Sequence, residues 1–418
     1  MALELRGVAK NFFNLSLIQG AGMLVQLLVI PLITRRYGLA VFGEVAVATS
    51  LASLLGNLVN YGTNQTAVKR ISIYRQEKGQ LAEVLSEVFF VRVLLFSGVI
   101  FLMGLFLVIS GIVSLEYLRI PTGFSPLLFL TIIPFLLTEL VSPVFFLSGV
   151  EKLHWVSWGS LVARLVSIAL VVFIPLYSDV APFLNLFISI PLCVYFFCLT
   201  AFILRKYDLK LYWPSWDRQI KSIRENFYVV FNNSSVILQQ SIFMFTVAGM
   251  ASSETLGLYG VVDKLVGATR NLISAFSASI YPRAAVLFNQ HPEVWAKFRS
   301  RVQKGYFVFF LISALFLQLC AEPLSYFFID NADSNAVLYF RFFGFIPLLI
   351  ALNANNVLDL LLRESYQKLF WFSLIVLAVS VVSSLALILF FNQTAVGIYP
   401  LFMELFCLVL YSRFSRNG

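Results

Sequence analysis

Apolar residues along this chain come in long unbroken runs, separated by short polar breaks. The first runs from Phe12 to Thr34. Eleven more fall at about 42–65, 85–110, 125–149, 156–178, 182–204, 226–250, 257–286, 305–329, 337–362, 370–391 and 395–412. Each is long enough for a helix to cross a bilayer, which takes about 20 residues. Barrel strands would instead show short alternating segments. The pattern predicts an all-α polytopic membrane protein of about 12 transmembrane helices. Arg6 and Lys10 precede a first run too long for a signal-peptide core, with no small-residue cleavage site after it, so an uncleaved first helix is expected.

Polar residues set the orientation and the halves. Of the 25 Lys and Arg assigned to loops and tails, 22 fall in the N-terminal tail and alternate loops; Arg35, Arg36 and Arg119 lie on the other side. Because Lys and Arg stay on the cytoplasmic side, both termini are predicted to be cytoplasmic. The longest polar stretch follows the sixth run and divides the chain into residues 1–204, a linker at 205–225, and residues 226–418. Two echoes at an offset of 214 support equivalent halves. Phe42-Gly43 pairs with Leu256-Gly257, and Gln19 and Gln26 pair with Asn233 and Gln240. Six spans per half would insert both halves the same way up.

Composition removes most other function classes. Of 418 residues, 60% are hydrophobic and 12% charged, against about 45–50% and 25% in soluble domains. No polar segment can hold a soluble catalytic domain. There is no Gly-rich phosphate loop and no Asp-rich metal-diphosphate motif, so the chain reads as a transporter without cofactor or metal rather than an enzyme. Cys193, Cys198, Cys320 and Cys407 lack metal-type spacing and read as core residues. His154 and His291 sit in short loops at the headgroup boundary. The net charge of +9 fits loops facing anionic lipid, and no basic tract points to nucleic acid.

Charges inside the runs are the candidate site. Each costs at least about 2.5–3.5 kcal/mol at a helix centre unless paired or wet. The cations are Arg92, Arg164, Lys264, Arg270 and Arg341, of which Arg341 is near enough to a helix end to snorkel. The anions expected to be buried are Glu139, Asp263 and Glu404, with Asp359 near a cytoplasmic end. Asp263 and Arg270 are seven apart, on one helical stripe. An excess of cations suits an anionic substrate, and the planar fork of Arg suits pyrophosphate. Gln19 with Gln26, and Asn233 with Gln240, form amide stripes that suit sugar hydroxyls or helix packing. Glu139 and Asp263 are candidates for coupling to H⁺ or Na⁺, since a carboxyl withdrawn from water can take up a proton near neutral pH. Pro31, Pro134, Pro143, Pro191, Pro347 and Pro400 fall within runs and are expected to mark hinges or cavity-lining breaks.

These residues carry a resemblance. Asn14-Leu15-Ser16, Gln19, Pro31-Leu32-Ile33-Thr34-Arg35, Gly38, Phe42-Gly43 and Asn60-Tyr61-Gly62 resemble the start of a Wzx-type polysaccharide or O-antigen flippase. Such flippases share a superfamily with MATE drug exporters and lipid II flippases. Phe146 to Lys152 resembles the family's aromatic-x-x-Gly-x-Glu-Lys turn, with Leu147-Ser148 in place of the usual aromatic-Gln before the Gly. Leu256-Gly257-Leu258-Tyr259, Asp263-Lys264 and Tyr281-Pro282 form the third piece. The resemblance implies two six-helix bundles around a central cationic cavity, MATE-like, alternating between inward- and outward-facing states. It implies export of an undecaprenyl-pyrophosphate-linked oligosaccharide, contact with polysaccharide assembly proteins, and Arg92, Arg164, Lys264 and Arg270 as cavity cations. The competing readings are a MATE-like drug or cation antiporter and an O-antigen polymerase.

Overall fold

A computed structural model of the chain describes residues 20, 22–23, 25, 27–112, 126–173, 181–290, 292–330, 334–363 and 366–416. Among them every regular element is helical. α1 ends at residue 37. It is followed by α2 (Leu39–Asn60), α3 (Thr63–Ile73), α4 (Lys78–Ile112), α5 (Pro126–Thr131), α6 (Ile133–Val141), α7 (Val144–Gly149), α8 (His154–Phe173) and α9 (Ala181–Lys206). Then come α10 (Trp216–Met250), α11 (Ser253–Gln290), α12 (Pro292–Leu319), α13 (Ala321–Ile329), α14 (Ser334–Leu362), α15 (Tyr366–Phe391) and α16 (Ala395–Arg416).

Eight described helical stretches are long and apolar enough to cross a membrane, and one of these, Gln367–Arg413, holds both α15 and α16. α10 and α11, at 35 and 38 residues, are not among the eight. They carry the amide stripe and the triplet Asp263, Lys264 and Arg270, and α10 opens on the charged residues Asp217, Arg218, Lys221, Arg224 and Glu225. Large apolar side chains cover the outside: Phe101 is 69% exposed and Phe390 83%. Such surfaces are stable only in lipid. The chain is a multi-pass membrane protein.

Two compact units make up the chain. One is built from residues 1–32 and 44–241, the other from 33–43 and 242–418. In the first, α3, α4, α7 and α9 meet around Ile71, Leu81, Phe146, Leu147 and Ile203. The polar stretch after α9 joins this core through Leu209 and Leu211. Trp213 packs on Phe90 with ring centroids 4.4 Å apart, and α10 begins at Trp216, inside the 205–225 stretch. In the second, α11, α12 and α14 pack around Ile273, Tyr306, Phe310 and Ala351. The end of α1 is fastened to α13 in the same unit. Thr34 donates its hydroxyl to the Phe328 carbonyl, and Arg35 donates to the Tyr326 carbonyl at 3.2 Å and pairs with Asp330 at 3.8 Å. Arg35, one of the three cations that run against the charge bias, is therefore paired with an acid.

The prolines divide into two groups. Ile132 interrupts the stretch just before Pro134, and Ser142-Pro143 separates α6 from α7, so that span is three short helices. Pro191, Pro347 and Pro400 lie inside continuous helices, and the helical residues of α1 run through Pro31. A proline removes one backbone donor and frees a carbonyl; at the α6–α7 break a side-chain donor takes up that carbonyl.

Candidate functional site

That donor, at the α6–α7 break, is Arg92. Pro143 has no N–H to offer the carbonyl of Glu139, four residues earlier. Arg92 Nη1 donates to that carbonyl at 2.9 Å and to the carbonyl of Ser142 at 2.8 Å. Its Nε and Nη2 donate to Thr63 Oγ1 at 2.9 and 2.7 Å, and Nη2 also donates to Asn64 Oδ1 at 2.9 Å. Thr63 passes its own proton to the Asn60 carbonyl at 2.6 Å. A guanidinium has five N–H donors, and all five are used. The side chain is fully buried, with its carbon 5.1 Å from the centre of the Phe145 ring. In this conformation Arg92 has nothing left to give a substrate. It holds a broken helix together.

Thr63 and Asn64 reach Arg92 because the chain turns sharply between α2 and α3. Tyr61 and Gly62 both take left-handed φ, 52° and 68°. Asn60, at the end of α2, donates to Glu139 Oε2 at 2.9 Å. A Cβ on Gly56 would lie 3.1 Å from Glu139 Cγ, so the absence of a side chain there makes room for the carboxylate. Glu139 has no cation nearby on its own helix; Arg92 supplies one from α4, bound to its backbone. Asn60, Thr63 and Asn64 were not among the sequence candidates. Their signal is polar residues bunched around a Gly at a run's end.

Arg164 stands in contrast. It lies in the middle of α8, half-buried, with its guanidinium lying over Gly22 of α1. A Cβ at Gly22 would collide with Nη1. Among the described residues Arg164 makes no hydrogen bond and no ion pair. Asn233 is half-buried and Gln240 exposed on α10, again without a described partner, and the neighbouring Ser234 accepts from Asn57 at 2.9 Å. Gln19 and Gln26 lie outside the described residues.

In the second unit Arg270 is committed to Glu404 of α16, with Nε at 3.0 Å and Nη2 at 2.5 Å from Oε1. Glu404 is buried and was noted in the sequence as an anion in a run, not as a partner. Asp263 lies within electrostatic reach of both Lys264 and Arg270. Lys264 is half-buried and makes no hydrogen bond or ion pair among the described residues. Phe243 and Tyr399 stack nearby in the same unit, with centroids 4.0 Å apart and planes 6° apart. Arg341 is exposed, as a snorkelling residue should be, and Asp359 pairs with Arg299 at 2.6 Å. Of five cations within the runs, two are tied to protein acceptors through their side chains, and two half-buried ones are not.

Comparison with known proteins adds the lineage. The family described as "Polysaccharide biosynthesis protein" matches residues 8–288. A protein of Escherichia coli (strain K12) named "Putative O-antigen transporter" is 24% identical, with 98% of this chain and 97% of that one aligned. Among solved structures, lipid II flippase MurJ in an inward closed conformation superposes with a TM-score of 0.71 at 12% identity, covering 97% of this chain and 88% of that one. An inward-facing MATE multidrug transporter of the MOP superfamily gives a TM-score of 0.66 at 12% identity, covering 94% and 98%. The fold is therefore that shared by these transporters.

Proposed function

The chain belongs to the polysaccharide biosynthesis protein family, and from that premise we propose that it flips an undecaprenyl-pyrophosphate-linked oligosaccharide from the cytoplasmic to the periplasmic leaflet. At the coarser level it is an O-antigen or polysaccharide transporter of the MOP superfamily, not an enzyme. The finer reading assigns the pyrophosphate to cations in the helices and the sugars to the amide stripes. It places the protein in a bacterial inner membrane with both termini cytoplasmic, next to polysaccharide assembly proteins.

Arg164 is the observation that carries the reading. A guanidinium within a membrane helix is costly unless wet or paired, and this one has no acceptor among the described residues. Two phosphates present paired oxygen acceptors that its planar fork matches. Lys264 is the second untethered cation, a point charge rather than a fork. Arg92 and Arg270 act through the frame: the first closes the α6–α7 break, the second balances Glu404. Gln19, Gln26, Asn233 and Gln240 are the proposed sugar partners.

Movement against a gradient of substrate needs a coupled ion whose site differs between facing states. Glu139 is the first candidate for H⁺ or Na⁺, because it sits beside a helix break that a buried charged side chain braces. Asp263, close to Lys264 and Arg270, is the second. A drug antiporter of the same fold would place its untethered charges as carboxylates rather than as Arg164 and Lys264.

Expression in a strain lacking its own repeat-unit flippase, with surface glycan as readout, tests the proposal. Restored surface glycan is expected from the wild-type chain. Drug resistance without surface glycan would replace this reading by the antiporter.

A further inference from the structure

Two helix ends in the first unit close in the same way. At the end of α7, the Glu151 N–H donates to Ser148 O at 3.1 Å and the Lys152 N–H to Leu147 O at 2.8 Å, with Glu151 at φ 59°. At the end of α9, Asp208 N–H donates to Arg205 O at 3.3 Å and Leu209 N–H to Leu204 O at 2.9 Å, with Asp208 at φ 53°. Both are Schellman closures, which cover the last carbonyls and fix the direction in which the chain leaves. Gly149 is required in the first, since a Cβ there would meet Ile71 Cβ at 2.6 Å.

These closures deliver two lysines to one indole. Lys152 Nζ lies 5.6 Å from the Trp155 ring centre and Lys206 Nζ 4.5 Å from it. Tyr207 accepts a hydrogen bond from Lys152 at 3.1 Å, and Lys206 also covers Phe202 at 5.5 Å. Trp155 is itself held: Tyr195 donates its hydroxyl to the Trp155 carbonyl at 2.6 Å, and Phe202 packs against the ring at 5.5 Å. Neither lysine pairs with a carboxylate among the described residues. The adjacent acids are taken, Glu151 by Arg75 at 3.3 Å and Asp208 by Lys78 at 3.9 Å. Like charges brought together on a rigid aromatic face, with the local anions committed elsewhere, make a receptor for an anion.

The surroundings identify which anion. Phe202 is 49% exposed, and on the same two helices Trp158 is 57% and Phe197 65% exposed. That is a lipid-facing surface, and the lysines stand at its polar end, where headgroups lie. We propose that Lys152, Lys206 and Trp155 form a binding site for the phosphate of an anionic phospholipid, with its acyl chains along α8 and α9. The site does not depend on what the transporter carries.

The test uses the full chain in nanodiscs of phosphatidylcholine containing a small fraction of cardiolipin, with lipids retained through detergent extraction counted by native mass spectrometry. Wild-type protein retains cardiolipin over phosphatidylcholine. Lys152→Gln and Lys206→Gln each lower the preference about fivefold, on the scale of one lysine at an anionic surface. The double Arg variant keeps it, which separates charge at this place from loss of folding. Lys210→Gln, a nearby surface cation, leaves it unchanged. Millimolar inorganic phosphate does not displace the lipid. Equal loss in Lys210→Gln, no preference in wild type, or displacement by equimolar undecaprenyl pyrophosphate would each overturn the assignment.

Discussion

Gly43 and Gly257 face each other across the crossing of α2 and α11. A Cβ on Gly43 would lie 2.8 Å from the Gly257 amide nitrogen, and one on Gly257 would run into the Leu39 carbonyl. Both positions belong to the second unit. The two glycines related by the 214-residue offset are thus each other's contact, and backbone meets backbone where two helices begin.

Gly257→Ala should therefore lower thermal stability, by roughly the 1–3 kcal/mol typical of overpacking. Gly267, on the same helix, has nothing within 4 Å of its ideal Cβ. Gly267→Ala should leave the melting temperature unchanged or higher, since Ala favours the helix. Equal melting temperatures for the two variants, measured in detergent, would show that the crossing tolerates a methyl group.

Arg92 and Arg164 should fail in different ways. Arg92→Ala strands the carbonyls of Glu139 and Ser142, at about 1–3 kcal/mol for each buried acceptor. Folded yield by fluorescence-detected gel filtration should fall, and glycan export with it. Arg164→Ala breaks no described bond, so yield should hold while export is lost. Arg164→Lys should recover only part, lacking the fork. Full export from Arg164→Ala would assign that residue to packing.

How much of this was legible in the sequence depends on whether the signal is local. Apolar runs marked the helices because lipid demands uninterrupted apolar length. The cost of charge in lipid singled out Arg92, yet its acceptors come from α3 and from the chain just before Pro143, and no spacing along the chain links residue 92 to residues 139 and 142. The prolines carried half a message: each removes a donor, but only the three-dimensional neighbours decide whether the helix breaks. The Phe42-Gly43 and Leu256-Gly257 echo was visible as repetition, whereas the contact between its members was not. Arg270 was expected to share a stripe with Asp263, and its actual partner, Glu404, lies 134 residues away.

Glu139→Gln tests coupling. Gln keeps the size of the side chain and its contact with Asn60 but cannot exchange a proton or hold sodium as a carboxylate does. In reconstituted vesicles, flipping should lose its dependence on an imposed ion gradient while substrate binding stays near wild type. Gradient-independent flipping by the wild-type protein would remove Glu139 from this role.

Topology has its own check. Asn392 sits at φ 49° in the short turn between α15 and α16. A phosphatase reporter inserted after Asn392 should be active in the periplasm, and one after Arg413 silent. The opposite pattern at either site would refute the assigned orientation.

The fastening of α1 to α13 also sets a timetable. Thr34 and Phe328 are 294 residues apart, and Arg35 and Tyr326 are 291 apart. At about 5–20 residues per second, roughly 15–60 s separate synthesis of the first member of each pair from the second. Through that interval the end of the earliest helix has an uncommitted cation at the bilayer edge, and the second unit lacks its first strap. Biogenesis of this protein is therefore closed by its beginning: the ribosome must be far into the C-terminal half before residues 33–43 find their place, so a chain stalled before α13 leaves its own N-terminal region unfinished.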